Sequence, residues 1–380
     1  MKICYLADAR SIHTQRWIQY FASRGHDVLL LSRQPLNNAI SRDVQFHPLQ
    51  FSRQFLRIPG RDLILNLATV KKVIHQFNPD IVHVHYVLGY GLLGALSGFH
   101  PLLVSAWGSD VLVAPKRSLL NKLMVKFALA KADTVLTTSS YLKSYLIREY
   151  NLPNSKVKAL PWGVDLKVFS KGYQAEIQQL KKGLGIKNGT FVILSPRHLT
   201  EQYSIDGIVR AVPYVISKYP NVFLIILKGA AEDGRYESYI DRLIDELGIR
   251  ENVKIIHTHL SAQEMAVMYN ASEVFMSIPK SDQFSSSIQE GMSCGSIPIV
   301  GNLEVYGQYL SNGKNALFVD PQNPSDLADK ILYCIKHPEL KQNFYEINRK
   351  IIEDSEDWEK NMAKAAKLYK TLTRGGQSAR

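Results

Sequence analysis

Short runs rich in β-branched and large apolar residues alternate with helical patterns along almost the whole chain. The runs over 2–6, 27–32, 81–84, 102–105, 134–137 and 156–160 read as strands, and apolar residues at helical spacing between most of them predict helices over 13–23, 63–77, 119–130 and 140–150. The second half repeats the rhythm, with strands over 191–194, 223–227, 253–256, 274–277 and 297–300 and helices over 205–217, 236–246, 262–269 and 287–293. Strand–helix alternation at this spacing builds a parallel sheet covered on both faces, and doing so twice predicts an α/β chain of two doubly wound domains.

The punctuation of the pattern locates the boundary. Pro161 and Gly163 end the first series, so one domain is expected over 1–165 and another over 166–357. A polar helical stretch over 174–182 leads through Gly185 and Gly189 into the second series. A last helix over 358–372 carries Met362, Ala365, Ala366 and Tyr369 at helical spacing and is expected to pack back on the first domain. Ligands of such sheets bind beyond the carboxyl ends of the strands, which puts the expected site in a central cleft between two facing domains. Apart from the short tail 375–380 there is neither tandem repeat nor low complexity.

Composition narrows the class. The 380 residues are 46% hydrophobic and 21% charged, as in an ordinary folded protein of two domains. Cys4, Cys294 and Cys334 are scattered without a C-x-x-C pair, so neither a disulfide framework nor a zinc site is expected. The N-terminus turns polar after Ala7, too soon for a secretory apolar region. The longest apolar stretch, 87–104, is broken by glycines, Ser97 and His100-Pro101. The chain reads as cytoplasmic.

Charge is shared unevenly. Residues 1–165 hold 20 Lys and Arg against 9 Asp and Glu, whereas residues 166–380 hold 26 against 25. A basic half suggests an anionic partner: membrane phosphates, a phosphorylated substrate or nucleic acid. Two segments concentrate the charge. In 51–61, Phe51 and Phe55 interleave with Arg53, Arg57 and Arg61. In 116–127, Lys122 and Lys126 share one helical face while Leu119, Leu120, Leu123 and Phe127 lie on another, a pattern suited to an anionic bilayer as well as to an ordinary surface helix. A nucleic-acid reading rests on charge alone, since no recognisable binding motif accompanies it.

The segment 281–300, S-D-Q-F-S-S-S-I-Q-E-G-M-S-C-G-S-I-P-I-V, carries the most specific chemistry. Asp282 and Glu290 stand eight residues apart, separated by Phe284 and the run Ser285, Ser286, Ser287 at the start of a small-residue helix. Serines cap free helix N–H groups, and those groups with the positive end of the helix dipole form a seat for phosphate. Two carboxylates flanking such a seat suit a sugar joined through phosphates to a nucleoside. The same spacing also fits an amphipathic helix with Glu290 in water.

The whole set resembles the retaining nucleotide-sugar glycosyltransferases of family 4 (glycosyl transferases group 1), which have the two-domain GT-B fold. The resemblance rests on Gly25-His26-Asp27-Val28, Ala106-Trp107-Gly108-Ser109-Asp110, Gly163-Val164-Asp165, Arg197, and Asp282 to Glu290 with Gly295 and Pro298, in that order. It implies that Glu290 hydrogen-bonds the ribose, that Asp282 approaches the donor sugar, and that the backbone around Ser285, Ser286 and Ser287 contacts phosphate or sugar. It also implies that Arg197 neutralises the departing diphosphate, where a fixed cation lowers the barrier more than it aids ground-state binding.

The sequence departs from the family's pattern in four places. The first acid is commonly Glu, and Asp282 is one methylene shorter. The Lys that usually follows the Arg is replaced by Glu201-Gln202-Tyr203-Ser204, so Lys228 is the candidate substitute cation and Tyr203 a neutral donor to phosphate. The first loop reads Asp8-Ala9-Arg10-Ser11-Ile12-His13 instead of carrying a Gly-Gly pair. Trp107 stands where a His is frequent, which leaves Asp110 as the acid expected to orient acceptor or donor sugar, with helix capping as its other reading. His83 and His85, on one strand face, are expected to be structural.

The resemblance implies a retaining hexosyltransferase. No D-x-D occurs and no ligand-spaced His, Cys and Asp cluster, so no metal or other cofactor is expected. The basic first half suggests a lipid-linked or otherwise anionic acceptor at the inner membrane face, as in surface-polysaccharide assembly. A nucleotide-sugar epimerase of the same fold and a non-catalytic sugar- or nucleotide-binding protein are the rival readings.

Overall fold

The computed structural model of the protein describes residues 1–36, 43–50, 61–229 and 233–377. The aromatic and basic segment 51–61 lies outside these residues except for Arg61, as does the end of the tail, 378–380. Two compact units are present: Met1–Trp162 with Glu359–Arg380, and Gly163–Trp358.

The first unit is built on β1 (Lys2–Leu6), β2 (Asp27–Ser32), β3 (Val44–Pro48), β4 (Ile81–His85), β5 (Leu102–Ala106), β6 (Thr134–Thr137) and β7 (Val157–Ala159). All pair in parallel, in the order β3-β2-β1-β4-β5-β6-β7. The second unit holds β8 (Phe191–Ser195), β9 (Val222–Leu227), β10 (Val253–Ile256), β11 (Val274–Ser277), β12 (Ile297–Gly301) and β13 (Leu317–Val319), parallel in the order β10-β9-β8-β11-β12-β13. The doubly wound α/β expectation is therefore met in each unit. The inner strands are largely buried because helices cover both faces, as β4 and β5 show with every residue buried. The pattern did not reveal β3 and β13. Both are sheet edges; in β3 only Val44 is buried, and β13 has three residues.

The final helix, Trp358–Gln377, carries its apolar stripe into the first unit, where Met362, Ala365 and Tyr369 are fully buried. Tyr369 stacks on Phe21, with ring centroids 4.7 Å apart. Its hydroxyl accepts from Trp17 Nε1 at 2.9 Å and meets Tyr5 Oη at 3.2 Å and His83 Nδ1. His83 Nε2 reaches Ser105 Oγ at 2.7 Å, so both ring nitrogens are satisfied without a positive charge. His83 is structural, as expected.

Two glycines answer close approaches in the second unit. A side chain on Gly163, at φ +81°, would come within 2.5 Å of the Glu356 carbonyl. There Val164 N donates to Glu356 O at 2.6 Å and Trp358 N to Val164 O at 3.0 Å, so the entering and leaving strands of this unit run side by side. Gly291 lets the helix Ser286–Cys294 settle on β11, since a Cβ there would lie 2.5 Å from the Phe275 ring.

Burial sets a pH limit on the first unit. Desolvation holds His83 well below its ordinary value of 6.5, helped by neighbouring His85, and takes His85 down to about 3, helped by His13. Folded values below the unfolded one favour the neutral rings, so this stability is complete above pH 6.5 and is lost as pH falls below it. Each unit of acidification is expected to remove about 1.4 kcal/mol per histidine until the folded pKa is reached. Urea titrations between pH 7 and 4 check this: His83→Gln should flatten the slope.

Candidate active site

In each sheet the chain winds outward from a central strand in both directions, and the loops beyond the carboxyl ends part at that strand. The reversal falls between β8 and β11 in the second unit and between β1 and β4 in the first.

Arg197 follows β8 and Asp282 follows β11, so both flank the reversal in the second unit. The fold brings them into direct contact. Arg197 Nη1 donates to Asp282 Oδ2 at 2.6 Å and Nη2 to Oδ1 at 3.2 Å, a two-pronged pair with side chains only 8% and 10% exposed. Nη1 also reaches Ser285 Oγ at 2.5 Å and Ser277 Oγ at 3.2 Å, and the guanidinium lies 4.3 Å from the centre of the Tyr203 ring. Burial opposes the guanidinium's charge, but Asp282 outweighs it and raises the pKa above its ordinary value. Tyr306 Oη completes the cluster by donating to Asp282 Oδ2 at 2.8 Å, and burial together with the Asp282 charge pushes that phenol well up.

The serines depart from the capping expectation. Ser285 occupies the N-cap of the helix Ser286–Cys294, yet its side chain makes no capping bond. Its hydroxyl serves Arg197 instead and meets Ser287 Oγ at 3.2 Å. No side-chain cap therefore covers the amides at the start of this helix, the arrangement that receives phosphate. Glu290 lies one turn further along, partly buried, and its charge helps to raise the buried Tyr269 phenol, after desolvation.

Lys228 stands at the end of β9, but its Nζ pairs with Glu237 Oε2 at 2.9 Å, and His257 Nδ1 lies 3.1 Å from the other oxygen. Tyr203 presents its ring to Arg197, where a hydroxyl donor to phosphate was expected. Ser277, Tyr306 and Glu237 belong to these clusters and escaped the sequence reading. Tyr306 lies 24 residues beyond its partner Asp282, and no local pattern signals that contact.

In the first unit the structure assigns Asp110 a different task from the one expected. It is fully buried, with Oδ1 accepting from Trp107 N at 3.0 Å and Gly108 N at 2.9 Å, and Oδ2 from Val87 N at 2.7 Å. Both oxygens accept from backbone amides, so the carboxylate staples the loop after β5 to the loop after β4. Burial pushes its pKa up to about 6 against the pull of those amides. Trp107 sits among His13, His85 and Trp162, with centroids 5.9, 5.6 and 5.0 Å from its own. His85 contacts Thr14 Oγ1 through Nδ1 at 3.3 Å, while its Nε2 and Trp107 Nε1 are buried without a hydrogen-bond partner.

Among the described residues, no group of three or more His, Cys, Asp and Glu could hold a metal ion, and no helix is long and apolar enough to cross a membrane. All three cysteines are free and buried.

Two parallel doubly wound sheets with polar loops gathered at their reversals define the GT-B class. Residues 2–139 match the family described as glycosyl transferase 4-like, and residues 176–351 match glycosyl transferases group 1. The chain belongs to this family of glycosyltransferases. It is 21% identical over 369 residues to N-acetyl-alpha-D-glucosaminyl L-malate synthase of Bacillus anthracis, covering 94% of this chain and 93% of that protein. It is 23% identical over 339 residues to alpha-monoglucosyldiacylglycerol synthase of Acholeplasma laidlawii, covering 83% and 82%. The structure of Anabaena HepE in complex with UDP-glucose superposes with a TM-score of 0.82 at 19% identity, covering 98% of this chain and 100% of that one.

The staple assignment for Asp110 is open to measurement. Asp110→Ala leaves two buried amides and one partly buried one without their acceptor and is expected to lower stability by about 3 kcal/mol. A sugar-orienting role would instead leave the melting temperature unchanged and raise KM.

Proposed function

We propose that the protein transfers a hexose from a nucleoside diphosphate sugar to a hydroxyl acceptor, with retention and without a metal. The observation that carries this is the grouping of Arg197, Asp282 and Ser285 beside a helix start that no side chain caps, at the strand reversal of the second unit. Amides and guanidinium suit the diphosphate, and carboxylates suit vicinal hydroxyls. The second unit is the donor side, with Glu290 on the ribose, Asp282 on the sugar, and Ser286 and Ser287 near phosphate. Arg197 stabilises the leaving diphosphate. Lys228 can join it on leaving Glu237. The first unit takes the acceptor, where Trp107, Trp162 and His13 offer ring faces. A hydroxyl could satisfy His85 Nε2 and Trp107 Nε1 together.

The test is a thermal-shift panel of UDP, GDP and ADP and their glucose, mannose and N-acetylglucosamine derivatives. The matching compound at a hundred times its Kd should stabilise the fold by about 2.7 kcal/mol. No shift from any of them would remove this reading. With the donor known, Arg197→Lys is expected to lower kcat about a hundredfold, because an ammonium lacks the planar fork. EDTA should leave turnover unchanged.

The acceptor class follows from the helix Leu119–Lys131, which buries Val125, Ala128 and Leu129 and turns Leu119, Leu120 and Leu123 outward at 72%, 65% and 55% exposure. Lys116, Arg117, Lys122, Lys126 and Lys131 surround them, all exposed. Apolar side chains ringed by cations suit the surface of an anionic bilayer and so a lipid-linked acceptor. One relative named above is an alpha-monoglucosyldiacylglycerol synthase. The protein is expected to sediment with phosphatidylglycerol vesicles at low salt and not with phosphatidylcholine ones. The Leu120→Glu, Leu123→Glu double variant should lose that binding while keeping its melting temperature, and equal sedimentation of the variant would refute the bilayer assignment.

A further inference from the structure

We propose that Asp282 competes with the donor's phosphates for Arg197, so that the site yields its cation only to a ligand that gives Asp282 new hydrogen bonds. The proposal rests on the nucleotide-sugar reading above. Both Nη atoms of Arg197 are committed to the two Asp282 oxygens, at 2.6 and 3.2 Å. The remaining contacts of the guanidinium are neutral: Ser277 Oγ, Ser285 Oγ and the Tyr203 ring. A diphosphate brought to this cation meets a carboxylate already holding it. Charge-assisted bonds from the fork to phosphate therefore require the carboxylate to let go.

Release is costly for Asp282. Its side chain is only 10% exposed, and with Arg197 gone its remaining donor is Tyr306 Oη at 2.8 Å. A buried carboxylate without its counter-charge is strongly disfavoured unless other donors replace the lost ones. Vicinal hydroxyls of a sugar joined to the phosphates supply such donors; a bare nucleoside diphosphate does not. Before transfer, phosphate takes the guanidinium and sugar takes the carboxylate. After transfer the sugar has left, Asp282 has lost its hydroxyl partners, and it returns to Arg197 at the expense of the remaining nucleotide. Asp282 thus acts as a specificity residue that favours intact donor and promotes departure of the product.

Calorimetry on the wild type and Asp282→Asn, with folding of the variant checked by circular dichroism, tests this. UDP and GDP are each measured beside UDP-glucose and GDP-mannose. The variant frees Arg197, so its nucleoside diphosphate Kd is expected to fall about fivefold or more, and the sugar's contribution to donor affinity to shrink by a similar factor. Unchanged or weaker diphosphate binding by a folded variant, with wild-type donor binding intact, would overturn the competition and leave the pair as a fixed scaffold. Should the variant not fold, crystal structures of the wild type with UDP and UDP-glucose, or with GDP and GDP-mannose, decide. A pair kept closed beside bare diphosphate but opened by the intact donor, with the guanidinium on phosphate and Asp282 on the sugar, supports the proposal. Arg197 off Asp282 with bare diphosphate, or a pair unbroken beside the intact donor, refutes it. Wild-type protein that binds none of the four compounds would remove the nucleotide-sugar reading, and this proposal with it.

Discussion

Every strand of each sheet runs in the same direction, and this single constraint organises the rest. A parallel sheet needs a crossover for each strand, the crossovers cover both faces, and the interior is sealed by apolar residues. The carboxyl ends then all face one edge, where loops open and following helices begin. Polar groups denied the interior collect there. Arg197, Asp282 and Ser285 do so in the second unit, and His85, Trp107 and Asp110 in the first. Between-strand reversal keeps neighbouring loops from covering one another, so this edge is also the place that can receive a ligand.

Groups at that edge still have to be satisfied, and the two buried aspartates show two ways of doing it. Asp110 takes its partners from backbone amides of its own and an adjacent loop. Those donors are part of the chain and cannot leave without unfolding the turn. Asp282 takes a guanidinium carried on a long side chain, which can change partner while the backbone stays still. The same residue type is thereby held by backbone in one unit and by a side-chain counter-ion in the other. The family match extends over both units, yet it does not distinguish these two aspartates; their surroundings do.

Much of this was legible in the residues, and the exceptions share a cause. Inner strands rich in apolar residues, such as β1, β9 and β11, fall where the pattern puts them. β3 and β13 escaped the pattern, β3 because only Val44 is buried and β13 because three residues are too few to show a period. Asp282, Glu290 and the serines could be singled out by spacing because they lie on one turn and one helix. The diversion of Ser285 from its cap and the role of Tyr306 could not be, since each depends on a partner from another strand's loop, and the retention of Lys228 by Glu237 joins a strand end to the following helix, which no period records.

By itself the sequence determined the alternation of strands and helices, the two sheets that follow from it, and the placing of Asp282, the serines and Glu290 around the start of one helix. These rest on interactions between residues a few positions apart, which periodicity records. The tertiary structure alone decided which charges meet: that Arg197 holds Asp282, that Glu237 holds Lys228, and that Asp110 faces amides. Such pairings link groups whose spacing follows no helix or strand period, the pair of Arg197 with Asp282 across 85 residues. Their energy depends on distance and burial, and neither exists until the sheets have formed.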